Sequence, residues 1–343
     1  MQQQDKKPKG VTRRAILTGA AALPLFAILP KRARAAEFTY KLATGQDPSH
    51  PVNKRAQEAI ERIRTATNGR LEIRLFPANQ LGSDVDLLAQ VRNGGVEFFN
   101  EAASVLATLV PAAAIVNTGF AFRNYDEVWT AVDGKLGAYV RAQVEKAGLL
   151  TMSRAWDNGF REITTSNRPI HTPADLHGLK LRVPPAPMLT SLFQALGAGA
   201  TPINFNEVYS ALQTKLVDGQ ENPLAIIATA RLYEVQKYCS MTNHVWDAYW
   251  ILGNRQAVER LPKDIQDIVR REFEKSALDE RADVAALSKS LRADLQGKGL
   301  QFVDVDNQAF KAALAKTSFY KDWKVKYGEE AWSHLEKFSG KLA

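Results

Sequence analysis

The sequence predicts an α/β protein built as two lobes. Strand and helix signals alternate from Phe38 onward, and a second alternation of the same kind runs from Arg161 to about Thr242. Residues 263–296 then form a charged, amphipathic run with no glycine or proline, roughly 50 Å long if wholly helical. A helix of that length reaches across both lobes.

The elements follow in order. Phe38 to Thr44 is extended, and Val52, Ala56, Ala59, Ile60 and Ile63 recur at helical spacing. Leu71 to Phe76 is a strand stopped by Pro77; Ser83 with Asp86 opens a helix, Gly94-Gly95 ends it, and an apolar strand follows over residues 96–99. In the second unit Thr172 caps a short helix with Pro173 at its first position and Asp175 three after the cap. A strand carrying Arg182 comes next, then a helix with Leu189, Leu192, Phe193 and Leu196 on one face, closed by Gly197. Residues 201–205 are extended, Asn206 is expected to cap a helix that turns Tyr209, Leu212 and Leu216 inward, and Pro223 starts another. A last strand at residues 302–305 precedes an amphipathic tail with Phe310, Leu314, Phe319, Trp323, Trp332 and Leu335. Strands separated by helices imply parallel pairing with right-handed crossovers, and such sheets bind ligands beyond the carboxyl ends of their strands. Those ends are Asn100-Glu101 and Pro184.

The amino terminus reads as an address. Thr12-Arg13-Arg14-Ala15-Ile16-Leu17 opens an apolar stretch over residues 15–29, the pattern of a twin-arginine export signal, and Ala33-Arg34-Ala35 supplies small residues for cleavage before Ala36. The stretch is about half of what spans a bilayer. The mature chain is therefore expected free in the periplasm. The segment to residue 35 holds eight of the 45 basic residues and one of the 37 acids, so 37 against 36 remain and the formal charge falls from +8 to +1. The basic excess thus says nothing about nucleic acid, which is excluded as a partner. The single cysteine, Cys239, forms no internal disulfide, so stability rests on the core. Five histidines lack metal-ligand spacing, and neither a Gly-x-Ser-x-Gly elbow nor a phosphate loop occurs. No metal, cofactor or catalytic residue is expected. A periplasmic lyase or hydrolase acting on organic acids is the alternative from a different class.

Two segments carry the binding chemistry: Gly178-Leu179-Lys180-Leu181-Arg182-Val183-Pro184-Pro185, and Asp218-Gly219-Gln220-Glu221-Asn222-Pro223-Leu224. The first places an arginine at the exit of a short apolar strand, the second an amide at a helix-starting turn. A guanidinium is planar, always charged and donates two parallel hydrogen bonds to a carboxylate, so Arg182 selects acids unless it is an ordinary solvated strand residue. Asn222 offers an amide to the same anion or caps the helix that Pro223 begins.

With Asn158-Gly159-Phe160-Arg161, the run from Pro173 to Pro184, and Glu207-Val208-Tyr209-Ser210-Ala211-Leu212-Gln213 added, the chain resembles a DctP-type solute-binding protein of a tripartite ATP-independent periplasmic (TRAP) transporter over nearly all its mature length. The resemblance implies a two-lobed periplasmic binding protein fold with hinge strands and a long helix spanning both lobes, closure around a small carboxylate, and delivery to the membrane subunits of a TRAP permease. It implies that Arg182 pairs with the ligand carboxylate, that Arg161 and Asn222 help, and that Phe205 packs beneath the ligand. Without it Arg161 reads equally as a surface ion-pair residue and Phe205 as core. Glu101 sits where such proteins often contact ligand hydroxyls. Trp156, Trp246, Asp247 and Trp250 lie near the expected lobe crossings, where they either meet a sugar face or pack the hinge. The stretch Asn117-Thr118-Gly119-Phe120 lacks the proline that relatives often carry before the first phenylalanine, an expected change to the pocket wall. Residues 36–158 with about 248–287 are expected as one lobe and 159–247 with about 288–343 as the other, in a monomer. The expected ligand is a hexuronate-like sugar acid or other hydroxy carboxylate; a sensor kinase in place of the permease is the alternative partner.

Overall fold

The computed structural model describes residues 35–342. The expected export signal lies outside them. Among the described residues the strands are β1 (Phe38–Thr44), β2 (Leu71–Phe76), β3 (Phe98–Ala102), β4 (Leu149–Thr151), β5 (Trp156–Phe160), β6 (Glu162–Thr165), β7 (Lys180–Val183), β8 (Gly199–Pro202), β9 (Gly219–Asn222), β10 (Tyr238–Met241), β11 (Trp246–Asn254) and β12 (Gln301–Asp304). They form two six-stranded sheets: β2-β1-β3-β11-β4, with β5 also on β11, and β12-β10-β6-β9-β7-β8.

The opening β-α-β-α-β unit pairs in parallel, β1 lying between β2 and β3. Local signals set its boundaries. Ser83 and Asp86 form a reciprocal capping box on the helix Asp84–Asn93, and Gly94 ends that helix at φ 82°, where a side chain would be strained. The expectation of parallel pairing throughout is corrected elsewhere. β11 runs antiparallel to β3, β4 and β5, and β6 runs antiparallel to β9 and β10. The reason is the path of the chain. It leaves the first sheet through β5, enters the second through β6 with only Arg161 between, and returns from β10 to β11 through residues 242–245. Each returning strand is laid head to tail on its outgoing partner, and Arg161 N donates to Val245 O at 2.9 Å where the two crossings meet. A second correction concerns residues 206–216. Phe205–Glu207 is a single 3₁₀ turn, Asn206 caps nothing, and the helix Val208–Gln213 stops before Lys215 at φ 59° turns Leu216 out to 63 % exposure.

The helix Lys263–Gly297 ties the sheets together. Ile265, Val269, Phe273 and Ala277 pack in a buried cluster with Ile60, Ile63, Leu71 and Phe98, whereas Leu295 belongs to a second cluster with Val208, Leu212 and Cys239. Burying each of these Val, Leu, Ile and Phe side chains stabilises the fold by about 1.5–3 kcal/mol. The C-terminal helices Asn307–Ala315, Phe319–Tyr327 and Glu329–Ser339 bury Phe310, Leu314, Phe319, Trp323, Trp332 and Leu335 in a third cluster that holds both Val140 and Leu192.

A buried acid pair locks the long helix to the outgoing hinge strand. Glu280 Oε2 accepts from Asp157 N at 2.8 Å, while Asp157 Oδ1 accepts from Trp246 Nε1 at 2.9 Å. The next helix residue, Arg281, grips Asp133 through two nitrogens at 2.9 and 3.0 Å and lies 3.7 Å over the Trp129 ring. Burial drives the Asp157 carboxyl up to about 7 against the hydrogen bonds it accepts; burial, then the Asp157 charge, drives Glu280 well above the carboxylate range. The folded state therefore holds protons that an unfolded chain releases near pH 4. The pair's contribution is fully present below pH ~4 and is lost as the pH rises through about 7. Glu280→Gln keeps an acceptor for Asp157 N and removes one titrating group, so its melting temperature should fall less than that of wild type between pH 5 and pH 8. Parallel melting curves for the two proteins would count against the raised titration of this acid pair.

Candidate ligand-binding cleft

Between the sheets lies a cavity lined from both sides. The first sheet lines it with Asn100, Glu101 and Ala102 at the end of β3, Asn158 of β5 and Tyr249 of β11; Asp84 joins them from the first turn of its helix. The second sheet supplies Arg182 and Pro184 at the end of β7 and Asn222 at the end of β9, with Phe205 and Ile226 beside them. Both strand ends expected from sequence thus face the same space.

Arg182 is 1 % exposed. Its Nε and Nη2 both donate to Ile203 O, at 2.9 and 2.7 Å, which fixes the plane of the guanidinium. Nη1 has no acceptor and the group no ion pair among the described residues, and the Phe205 ring lies 5.9 Å from its central carbon. Burial lowers its pKa to about 9; Glu221 and Asp84 oppose that shift and Arg161 adds to it. The charge persists at neutral pH, but it is poorly compensated.

Arg161 is differently placed. Its Nε and Nη2 grip both carboxylate oxygens of Glu221 at 2.5 and 2.8 Å, Nη2 also reaches Glu221 O at 2.7 Å, and Nη1 lies 3.5 Å from Asp247. Burial works to raise the Glu221 carboxyl, but Arg161 and a hydrogen bond from His244 outweigh it and hold the group at about 2. Burial keeps His244 neutral. Because ionised Glu221 only accepts, Nε2 of His244 donates to it at 2.9 Å, and Nδ1 accepts from Thr242 at 2.8 Å. Asp247 is equally occupied: Ser104 Oγ at 2.7 Å, Asn117 Nδ2 at 2.7 Å and Asn158 Nδ2 at 3.3 Å all donate to it. Arg161 therefore reaches the cavity wall with its charge already met.

The remaining expected residues divide. Asn222 lines the cavity, and its Nδ2 donates to Gln220 Oε1 at 2.5 Å instead of capping the next helix, whose cap is Pro223. Glu101 lines it too: Oε1 accepts from Ala102 N at 2.6 Å and Oε2 is buried without a partner among the described residues. Burial, then the nearby Asp84 charge, pushes its carboxyl well above the usual range. Trp156 and Trp246 are not in the wall. Trp156 packs in the core with Ile251 and Phe273, and Trp246 meets Trp129 edge to face at 5.3 Å. Trp250 is fully buried and also absent from the wall, as is the 117–122 segment, which meets the groups behind the wall through Asn117 Nδ2 on Asp247 and Phe120 N on His244 O.

Sequence reasoning passed over Asp84, Asn158 and Tyr249. Asp84 reads as a helix start, but Ser83 does the capping and Asp84 takes a bond from Asn79 Nδ2 at 2.7 Å with its carboxylate at the cavity. Asn158 sits at a bulge: Asp247 opposes Gly159 and Ala248 opposes Asp157, leaving Asn158 unpaired in the ladder and re-aimed. Glu221 lies inside a quoted motif, and its signal was an acid enclosed in a strand, which demands a cation.

The family model for DctP, bacterial extracellular solute-binding protein family 7, matches residues 42–323. The Escherichia coli 2,3-diketo-L-gulonate-binding periplasmic protein YiaO is 29 % identical over 320 residues, 92 % of this chain and 95 % of that one. The crystal structure of a TRAP periplasmic solute-binding protein from Roseobacter denitrificans with bound L-galactonate superposes with a TM-score of 0.82 at 31 % identity, covering 89 % of this chain and 99 % of that one. A longer Sinorhizobium fredii protein, y4mM, is 33 % identical over 308 residues, and the match spans 57 % of its length.

Removing the anion that holds Arg161 should be far more costly than replacing Glu101, which makes no ion pair among the described residues. Glu221→Ala is expected to lower the unfolding free energy by about 3–5 kcal/mol at pH 7, whereas Glu101→Gln stays within about 1 kcal/mol. The Glu221 contribution is in place above pH ~4 and disappears as the pH falls toward 2. Urea midpoints of the two variants in the reverse order would refute this assignment of charge.

Proposed function

This chain belongs to the DctP family, family 7 of the bacterial extracellular solute-binding proteins, and from that premise we propose that it is the periplasmic receptor of a TRAP transporter. It captures a small organic acid on Arg182, closes around it and hands it to the membrane subunits of the permease. One observation carries the proposal. Arg182 is buried, oriented by Ile203 O, and left with a donor that no described residue satisfies. An enclosed charge without a partner is expensive, so closure over Arg182 becomes favourable when an anion arrives to meet it, and binding and closure are one event.

The other residues take supporting roles. Asn222 donates beside the carboxylate, Phe205 lies under the ligand, and Glu101 reads its hydroxyl groups. Arg161 acts with Asp247 as a prepaired cluster that sets the field at the site and joins the hinge crossings. Trp156 and Trp246 act from behind the wall by packing the hinge. The lobes divide where the chain passes between sheets, at Arg161 and in residues 242–245. The ligand is a sugar acid or a related hydroxy carboxylate. L-Galactonate and 2,3-diketo-L-gulonate, named with two relatives, are of that kind. The relatives are solute-binding proteins, and the chain is proposed to bind without turnover, as a monomer.

A thermal-shift screen of acidic metabolites identifies the ligand, because occupancy at 100 times Kd adds about 2.7 kcal/mol of stability. Titration calorimetry with that acid should then show Arg182→Ala and Arg182→Lys weakened roughly 30- to several-thousand-fold, the equivalent of about 2–5 kcal/mol. Undiminished affinity in either variant overturns the assignment. Export is proposed to follow the twin-arginine route. Replacing Arg13 and Arg14 with lysine should leave the precursor in the cytoplasm, and normal periplasmic yield from that variant would exclude the route.

A further inference from the structure

Two acids face the cavity from the first-sheet side, and they change which acids can enter. Asp84 and Glu101 both line it and are both buried. Close by, Arg161 is committed to Glu221 and Asp247, a triad with one net negative charge. Arg182 adds one positive charge. The protein groups at the site therefore sum to zero before Asp84 and Glu101 are counted, and Arg182 is the lining cation with a free donor among the described residues. One carboxylate finds that donor. A second would have no cation left to meet.

The same wall is rich in neutral groups whose hydrogen-bonding capacity is unused. Asn100 has neither its amide nitrogen nor its oxygen paired among the described residues, and Glu101 Oε2, Asn158 Oδ1 and the Tyr249 hydroxyl are likewise buried without partners. Buried polar atoms are rarely left so, and this set offers donors and acceptors together. Alcohol groups, which both donate and accept, satisfy it; a carboxylate only accepts and brings charge against Asp84.

We propose that the wall formed by Asp84, Asn100, Glu101, Asn158 and Tyr249 makes this receptor selective for monocarboxylic polyhydroxy acids and rejects their dicarboxylic counterparts. The inference rests on the receptor reading above and narrows its ligand class. Asp84 and Glu101 are the specificity-determining pair: neither offers a cation to a second carboxylate, and the unpartnered Glu101 Oε2 is placed to meet an alcohol.

Matched pairs of acids test it. Galactonate and galactarate share one polyol chain and differ only in whether its far end is an alcohol or a carboxylate; gluconate with glucarate and threonate with tartrate repeat the comparison. Titration calorimetry on the mature protein at pH 7 should give diacids at least ~100-fold weaker than their monoacid partners. The double substitution Asp84→Asn with Glu101→Gln should narrow that gap about tenfold. Because the wild-type comparison stands alone, misfolding of the variant does not affect it. If diacids bind as tightly as monoacids, or are the only acids bound, the selectivity proposal fails while the receptor reading survives. If no acid of any kind binds, the receptor reading fails and this inference falls with it.

Discussion

The arrangement depends on a guanidinium that the fold buries, orients and leaves partly unpaired. Two of the three Arg182 nitrogens are committed to Ile203 O, so the plane of the group is set by the backbone that follows β8. A second arginine stands close enough to lower its pKa, yet that neighbour does not compete for an anion, because Glu221 and Asp247 already hold it. Two arginines in one cleft thus have different electrostatic standing. The difference is made by a neutral histidine, a threonine and two acids behind the wall.

This division also locates the mechanical joint. Arg161 is the single residue between β5 and β6, and its amide bonds the returning strand at Val245. The residue that organises the charges is therefore the one about which the outgoing strand changes sheet. The acid pair Asp157 and Glu280 lies next to it and couples the crossing to the long helix. On the proposed reading, events in the cleft are felt at once by the elements that carry the lobes.

Much of this was legible in the residues. Strands β1 and β2 begin and end where alternation, Pro77 and the apolar pattern put them, and Arg182, Asn100-Glu101 and Pro184 converge because strand ends in such sheets share one side. Direction of pairing was not legible, since hydrophobic pattern carries no sign for a strand that returns from another sheet. Trp156 and Trp246 show a related limit: proximity to a crossing says a side chain is near the hinge, not which side of the sheet it takes. Asn158 was hidden for a different reason. Its orientation comes from a bulge opposite Asp247 and Ala248, a feature of two strands that neither contains alone. Leu216 was misplaced because one left-handed residue, Lys215, ended the helical period early.

The cleft's two faces are encoded apart: Arg182 and Asn222 come from one sheet with Phe205 beside them, and Asn100, Glu101 and Tyr249 from the other with Asp84 beside them. On the proposed reading, substitution can revise what lies at the far end of a solute while the grip on its acid end stays untouched. For a lineage of importers this is a route to new diets by small steps, each intermediate still able to hold an anion.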